Sequence, residues 1–259
     1  MSHAIRDSAT MLRRQLRHMW RNLPVVLMLL AVPIVFLLLF VYVLGGTLGD
    51  GLGGSGGRRA YVDYVTPGIL LITVAGAVQG TAIAVALDMT QGIIARFRTM
   101  AIARTSVLTG HVLGSVLQVL LQLAVVLGVA VLVGFRPDAT AVEWLAAAGL
   151  LTVTAVALVW LAVAMGLASG NPATASNLPM PLLLLPFFGS GFVPTESMPA
   201  GLRWFAEHQP FTPIMETLRG LLLGTPIGNS AVIALGWCAA IALGGYLWAR
   251  ALYNRERIR

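Results

Sequence analysis

Few residues in this chain have types and spacings suited to chemistry. Ser190 sits between Gly189 and Gly191, an arrangement open to a serine nucleophile in a tight turn. Such a nucleophile needs a general base within hydrogen-bond reach. Of the four histidines, His3 and His18 fall in a basic amphipathic start, and His111 begins an apolar run. His208, beside Glu207 in a proline-rich stretch, is the remaining one. The Gly-Ser-Gly run therefore reads better as small residues that let helices pack closely. Gln79, Gln118 and Gln122 are polar groups inside apolar stretches, and Gln118 and Gln122, four apart, share a helix face. Two roles stay open for them: hydrogen bonds between helices, or a weakly polar lining for an amphiphilic substrate. Cys238, the single cysteine, excludes an internal disulfide and a thiolate metal site. No other group has metal-ligand spacing.

Two absences bear on energy supply. All 17 basic residues are arginine, so a lysine-bearing phosphate loop and Schiff-base chemistry are both excluded. The ten acids are Asp7, Asp50, Asp63, Asp88, Asp138, Glu143, Glu196, Glu207, Glu216 and Glu256, each in a loop, at the end of an apolar run or in a terminal segment. An ion-coupled carrier generally holds a carboxylate inside its spans, where the ion binds. That class is disfavoured here, as is a membrane-embedded hydrolase. Any pumping must draw its energy from a separate chain.

Hydrophobic residues make up 58% of the 259 and charged residues 10%, against roughly 45–50% and about 25% in a soluble domain. Bilayer is the solvent that composition fits. The net charge of +7 comes from arginines beside apolar segments rather than from a soluble basic face, so it signals topology and not nucleic acid. Residues 1–22 form an amphipathic interfacial helix, with Ile5, Ala9, Leu12, Leu16 and Met19 on one face and Arg6, Arg13, Arg17 and Arg21 on another. Apolar spans are expected at about Pro24–Leu44, Val65–Leu87, Val107–Val133, Trp144–Ala168, 173–193 and Ala231–Tyr253, each near the roughly 20 residues a bilayer needs. Pro33 should kink the first, and Pro179, Pro181 and Pro186 should bend or break the fifth. The glycine-rich run 45–60 reads as an exposed flexible loop, and 134–138 as a tight turn. Pro172 suits the first position of a helix. Residues 194–224 are too short and too proline-rich to cross, and read as two short helices, the second capped by Thr212-Pro213 and closed by Gly224.

Six spans place both termini on one side. That side collects twelve arginines and the other five. Positive residues stay in the cytosol, so both ends are expected there.

Residues 92–104, GIIARFRTMAIAR, resemble the cytosolic loop of type-2 ABC exporter permeases, particularly the daunorubicin-resistance group of drug-efflux permeases. Ala101 stands where members often carry proline. The stretch from Phe205 to Leu222 resembles the region before that family's last span, with Gln209-Pro210 where Asn-Pro often stands. The resemblance covers nearly the whole chain and rests on the order of the features.

It implies an all-α integral membrane protein, a single permease domain over 1–259 and not itself an enzyme, exporting a hydrophobic or amphiphilic compound such as a drug, an antibiotic or a lipid. It also implies a cytosolic ABC ATPase subunit that binds ATP and magnesium, and a second permease copy or paralogue. Segment 88–106, Gly92 included, would be a coupling helix whose Ile93, Ile94, Phe97 and Met100 fill a groove on the ATPase and whose Arg96, Arg98 and Arg104 meet acids or lipid phosphates. Segment 194–224 would be an outer re-entrant gate carrying Gln209, Pro210, Glu216 and Arg219. Glu216 and Arg219, three apart, could pair on one face.

Overall fold

Inside a bilayer a backbone must satisfy its own N–H and C=O groups, which makes the helix the natural form for long apolar runs. In the computed structural model, which describes residues 23–51, 57–91 and 104–255, the regular elements are all helices. The chain order is α1 (Leu23–Leu38), a π segment (Leu39–Leu44), α2 (Gly45–Gly51), α3 (Gly57–Thr90), α4 (Arg104–Val133), α5 (Ala141–Ala168), α6 (Pro172–Asn177), α7 (Met180–Leu184), a 3-10 turn (Leu185–Phe188), a second 3-10 turn (Thr195–Ser197), α8 (Ala200–His208), α9 (Phe211–Leu223) and α10 (Ser230–Arg255). The amphipathic segment 1–22 lies outside the described residues, as do 92–103 of the proposed coupling segment.

Among the described residues, five stretches are long and apolar enough to cross a membrane: Leu27–Gly49, Gly57–Thr90, His111–Val133, Ala141–Ala168 and Ser230–Asn254. The expected fifth span is broken as its three prolines foretold, into α6, α7 and a 3-10 turn. Pro172 takes the first position of α6, behind an Asn171 side chain that accepts a hydrogen bond from Thr174 N at 2.8 Å.

Two expectations need correcting, the loop at 45–60 and the cap of α9. Residues 45–60 do not form a long loop: Gly45–Gly51 continues the first helix, and Gly57 already opens α3. A Cβ on Gly45 would lie 3.3 Å from Arg58 Cγ, so the small residue lets α2 lie close beside α3. Pro33 sits inside α1 without ending it, and the helical irregularity falls later, in the π segment Leu39–Leu44. Helix α9 starts at Phe211 rather than behind a Thr212-Pro213 cap, leaving the Thr212 side chain buried inside the bundle. Its other end is as expected, with Gly224 left-handed at φ 71°.

Other turns follow local chemistry. Helix α4 stops where Gly134 adopts φ 125°, with Phe135 N donating to Ala130 O at 2.9 Å. Helix α5 begins three residues before Trp144 because Thr140 and Glu143 form a reciprocal capping box.

Helix α3 is the hub, packed against α1, α4, α5, α6 and α9. Of its apolar window 72% is buried, against 17% for the windows of the first and last helices. Helix α10 runs along α5 through Gly245, where a Cβ would lie 2.7 Å from Leu161 N. Two backbones approach that closely only where one side has no side chain. Cys238 is buried in the same interface, 3.5 Å from the Thr154 hydroxyl, as a small apolar residue would be.

Candidate functional site

Breaking a helix at membrane depth leaves carbonyls without partners, and each must find one or carry a cost of about 1–3 kcal/mol. In the broken segment the partners come from side chains on other helices. Gly189 N tightens onto Pro186 O at 3.3 Å, and Gln209 Nε2 donates to Leu185 O at 3.2 Å. Ser190 O accepts from Tyr64 Oη at 2.8 Å and from Arg219 Nη2 at 2.7 Å. Phe192 O accepts from Tyr61 Oη at 3.3 Å. Further back, Ser176 O accepts from Gln79 Nε2 at 2.8 Å. Helices α3 and α9, with Gln209 just before α9, thus hold the unwound stretch 185–192 by its backbone.

Apolar contacts close the same stretch. Phe187 and Phe192 stack with centroids 5.0 Å apart, and Phe36 and Phe40 of the first helix meet them at 5.3 and 4.6 Å. Gly68 and Gly191 bring two backbones together: a Cβ on Gly68 would lie 3.0 Å from Gly191 O. A Cβ on Gly191 would meet Met215 Sδ at 2.8 Å.

Arg219 does not make Glu216 its hydrogen-bond partner. Its guanidinium carbon lies 4.0 Å above the Tyr64 ring, and Nη2 reaches Tyr64 O at 3.3 Å as well as Ser190 O. Glu216 instead accepts from Ser230 Oγ at 2.8 Å, tying α9 to α10. Burial pushes the Arg219 guanidinium below its ordinary pKa, countered by its contact with Tyr64 and by the nearby Glu216 carboxylate. Pro210 occupies the position just before α9 and carries no N–H that needs a partner.

Three buried polar atoms around this junction have no hydrogen-bond partner: Ser190 Oγ, Gln209 Oε1 and Arg219 Nε. Ser190 Oγ is therefore not activated by any base. His208 is elsewhere, its Nδ1 2.8 Å from Trp204 O and its ring stacked on Trp204. A hydrolytic serine centre is not assembled here. Among the described residues no group of three or more His, Cys, Asp or Glu is placed to hold a metal.

The glutamines separate. Gln122 is buried, with Nε2 unpartnered, and lines a cavity of about 70 Å³ together with Gln79. Gln118, one turn earlier, is half-buried and does not line that cavity. At the opposite end of α3, Asp88 Oδ2 meets His111 Nε2 of α4 at 3.0 Å, an ion pair when the imidazole is protonated. That pair joins the two helices flanking residues 92–103. Of the coupling candidates, Gly92, Ile93, Arg96, Phe97, Arg98 and Met100 lie outside the described residues, and Arg104 is the first residue of α4.

Sequence reasoning missed Tyr61, Tyr64 and the Gly68–Gly191 contact. The two tyrosines precede the expected second span, yet both sit in α3 and donate to the broken segment. Two hydroxyl-bearing rings three apart in an apolar helix, facing a proline-broken one, were the available signal.

Several long apolar helices around one proline-broken segment define a multi-pass membrane protein. The chain belongs to the ABC-2 type transporter family, whose model matches residues 7–223. It is 28% identical over 246 residues to the daunorubicin resistance ABC transporter permease protein DrrB1 of Streptomyces coeruleorubidus, covering 90% of this chain and 85% of that one. It is 26% identical over 218 residues to the probable doxorubicin resistance ABC transporter permease protein DrrC of Mycobacterium tuberculosis strain H37Rv, covering 81% and 76%.

Proposed function

We propose that this chain is the membrane-spanning subunit of an ATP-driven exporter that moves hydrophobic or amphiphilic compounds, drugs or antibiotics among them, out of the cell. The observation that carries the reading is the family match over residues 7–223, joined to two resistance permeases aligned over most of their length. The energy source is a separate cytosolic ABC ATPase, which binds ATP and magnesium and docks on segment 88–106. A second permease copy or paralogue completes the pathway, with lipid around both. The broken segment 172–193 counts as the fifth of six crossings, and both termini are cytosolic. Residues 194–224 then lie at the outer face, where Gln209, Pro210, Glu216 and Arg219 belong to the gate.

The geometry supports a gate there. Arg219 holds a cation against two carbonyls and a ring, with no carboxylate bonded to it. Together with the unpartnered Ser190 Oγ and Gln209 Oε1, this closed arrangement leaves polar atoms that water or cargo would satisfy on opening. An outer seal of this kind is held without being locked.

A pull-down of the tagged chain from native membrane tests the energy source, with efflux of a lipophilic dye from the same cells. An ATPase subunit should co-purify, and efflux should continue when the proton gradient is collapsed at constant ATP. Efflux that stops with the gradient would replace this reading with an ion-coupled one.

A further inference from the structure

A larger cavity, of about 370 Å³, opens at the end of α3 away from Asp88. Three arginines line it: Arg58 and Arg59 from the first turn of α3, and Arg136 from the turn after α4. Val62, Val133 and Gly134 complete the wall, and no acid lines it. Arg58 lies over the Tyr42 ring at 5.3 Å, and Arg136 Nη1 donates to Val131 O at 2.7 Å and to Phe135 O at 2.9 Å. The Asp63 carboxylate stays off the wall, accepting from the Arg136 backbone N–H at 3.2 Å. Among the described residues none of the three arginines is in an ion pair. Like charges around one opening repel, and an anion between them turns that cost into attraction. By the topology proposed above this end faces outward, the side where arginine is in the minority, so orientation alone gives no reason for a cluster there.

We propose that this pocket binds the phosphate of an anionic phospholipid of the outer leaflet, with the acyl chains laid along α4. The outer placement rests on the topology proposed above. The volume falls within the about 300–1,000 Å³ of small-molecule sites, room for a phosphodiester and its glycerol. Arginine suits such a group, because its planar fork offers two N–H bonds to phosphate oxygens. The surface beside the pocket favours lipid over free phosphate. Leu121, Val125, Gly128 and Leu132 fall on one stripe of α4 at helical spacing, all exposed and none with a polar side chain. The stripe ends at Leu132, next to the pocket-lining Val133. From Leu121 to Leu132 it runs about 17 Å, close to one leaflet's half of the roughly 30 Å of hydrocarbon. A Cβ on Gly128 would meet nothing within 4 Å, so no described part of the chain covers the stripe there. A zwitterionic headgroup fits less well, since it adds an ammonium to three guanidinium charges. The same end of α3 carries Tyr61 and Tyr64, so the bound lipid would brace the helix that holds the broken segment.

The test titrates the full-length chain in detergent with phosphatidylglycerol or phosphatidylcholine and counts bound lipids by native mass spectrometry. The wild type should hold one phosphatidylglycerol at least about tenfold more tightly than phosphatidylcholine, as charge-assisted hydrogen bonds to a phosphate require. Arg58→Gln combined with Arg59→Gln should lose that lipid. Arg59→Gln alone, which disturbs the fold least, should weaken it in the same direction. Arg203→Gln, which removes an exposed arginine outside the pocket, should keep it. Inorganic phosphate at the lipid's own concentration should not displace it. Displacement would give the pocket to a soluble anion and overturn the proposal. Equal affinities for the two lipids, or an unchanged double variant, would overturn it too. So would loss of a dimer without loss of lipid in that variant, which would give the surface to a second copy. The side is read separately, by labelling Arg59→Cys with an impermeant maleimide in intact cells, Cys238 being buried. Labelling confined to inverted vesicles would overturn the outer placement and the topology with it, while the detergent titration still decides whether the pocket holds lipid.

Discussion

The two ends of α3 are built differently. Around Tyr64, two tyrosine hydroxyls reach across 126 and 131 residues of sequence, and a guanidinium across 29, to backbone carbonyls of an unwound segment. Around Asp88, a carboxylate–imidazole contact to His111 joins α3 to the neighbouring α4, beside the stretch that the family resemblance assigns to the ATPase. Backbone carbonyls cannot be moved without moving the chain, so the Tyr64 end fixes geometry. A carboxylate and an imidazole on two adjacent helices can part and re-form, which suits an end that receives motion. The lesson is that the same helix can serve as a gatepost at one end and a lever at the other.

Mutations can break this contrast, and the largest effect should come from Gly68→Val. A Cβ there already falls 3.0 Å from Gly191 O, with backbone and no flexible side chain to yield, and valine adds two methyls. Overpacking of this kind costs about 1–3 kcal/mol, so efflux should fall at least tenfold and thermal unfolding in detergent should come earlier. Arg219→Met comes next. It removes a charge-assisted hydrogen bond to Ser190 O, worth about 1.5–3 kcal/mol, though Tyr64 Oη still serves that carbonyl. ATP hydrolysis should then run without proportionate efflux. Arg219→Lys should rescue little, since an ammonium lacks the planar fork that spans two carbonyls and a ring.

At the other end, Asp88→Asn keeps an oxygen that can accept from His111 Nε2 and should cost less stability than Gly68→Val. Its signature should be weaker cargo stimulation of ATP hydrolysis with normal membrane insertion. A loss of stability as large as that of Gly68→Val would erase the contrast between the ends. Smallest of all is Glu207→Gln, which breaks the exposed Arg203–Glu207 pair at 2.7 Å and should leave both efflux and unfolding unchanged.

What was legible in the sequence was whatever local chemistry decides. Pro172 opening α6, Gly134 ending α4 and Gly224 ending α9 are backbone requirements that a single residue announces. The broken fifth segment was readable for the same reason, since Pro179, Pro181 and Pro186 each lack an N–H. The glycine run misled because glycine favours loops in water, whereas apolar surroundings press the backbone to satisfy itself as helix through Gly51. Glu216 and Arg219, three apart on one face, were candidates to pair. In the fold each finds a different partner, Ser230 for one and Tyr64 with Ser190 for the other. That Gln122 Nε2 stays unpartnered while Gln79 Nε2 finds Ser176 O depends on which elements converge around each, and spacing along one helix does not encode that.

The central claim is that a separate motor drives this chain through the segment between α3 and α4. Its most direct test is cargo-stimulated ATP hydrolysis by the assembled complex carrying Phe97→Asp, measured beside a check of membrane insertion. The account expects the chain to insert normally while cargo stimulation is lost. Full stimulation in that variant would mean that force enters the membrane somewhere else.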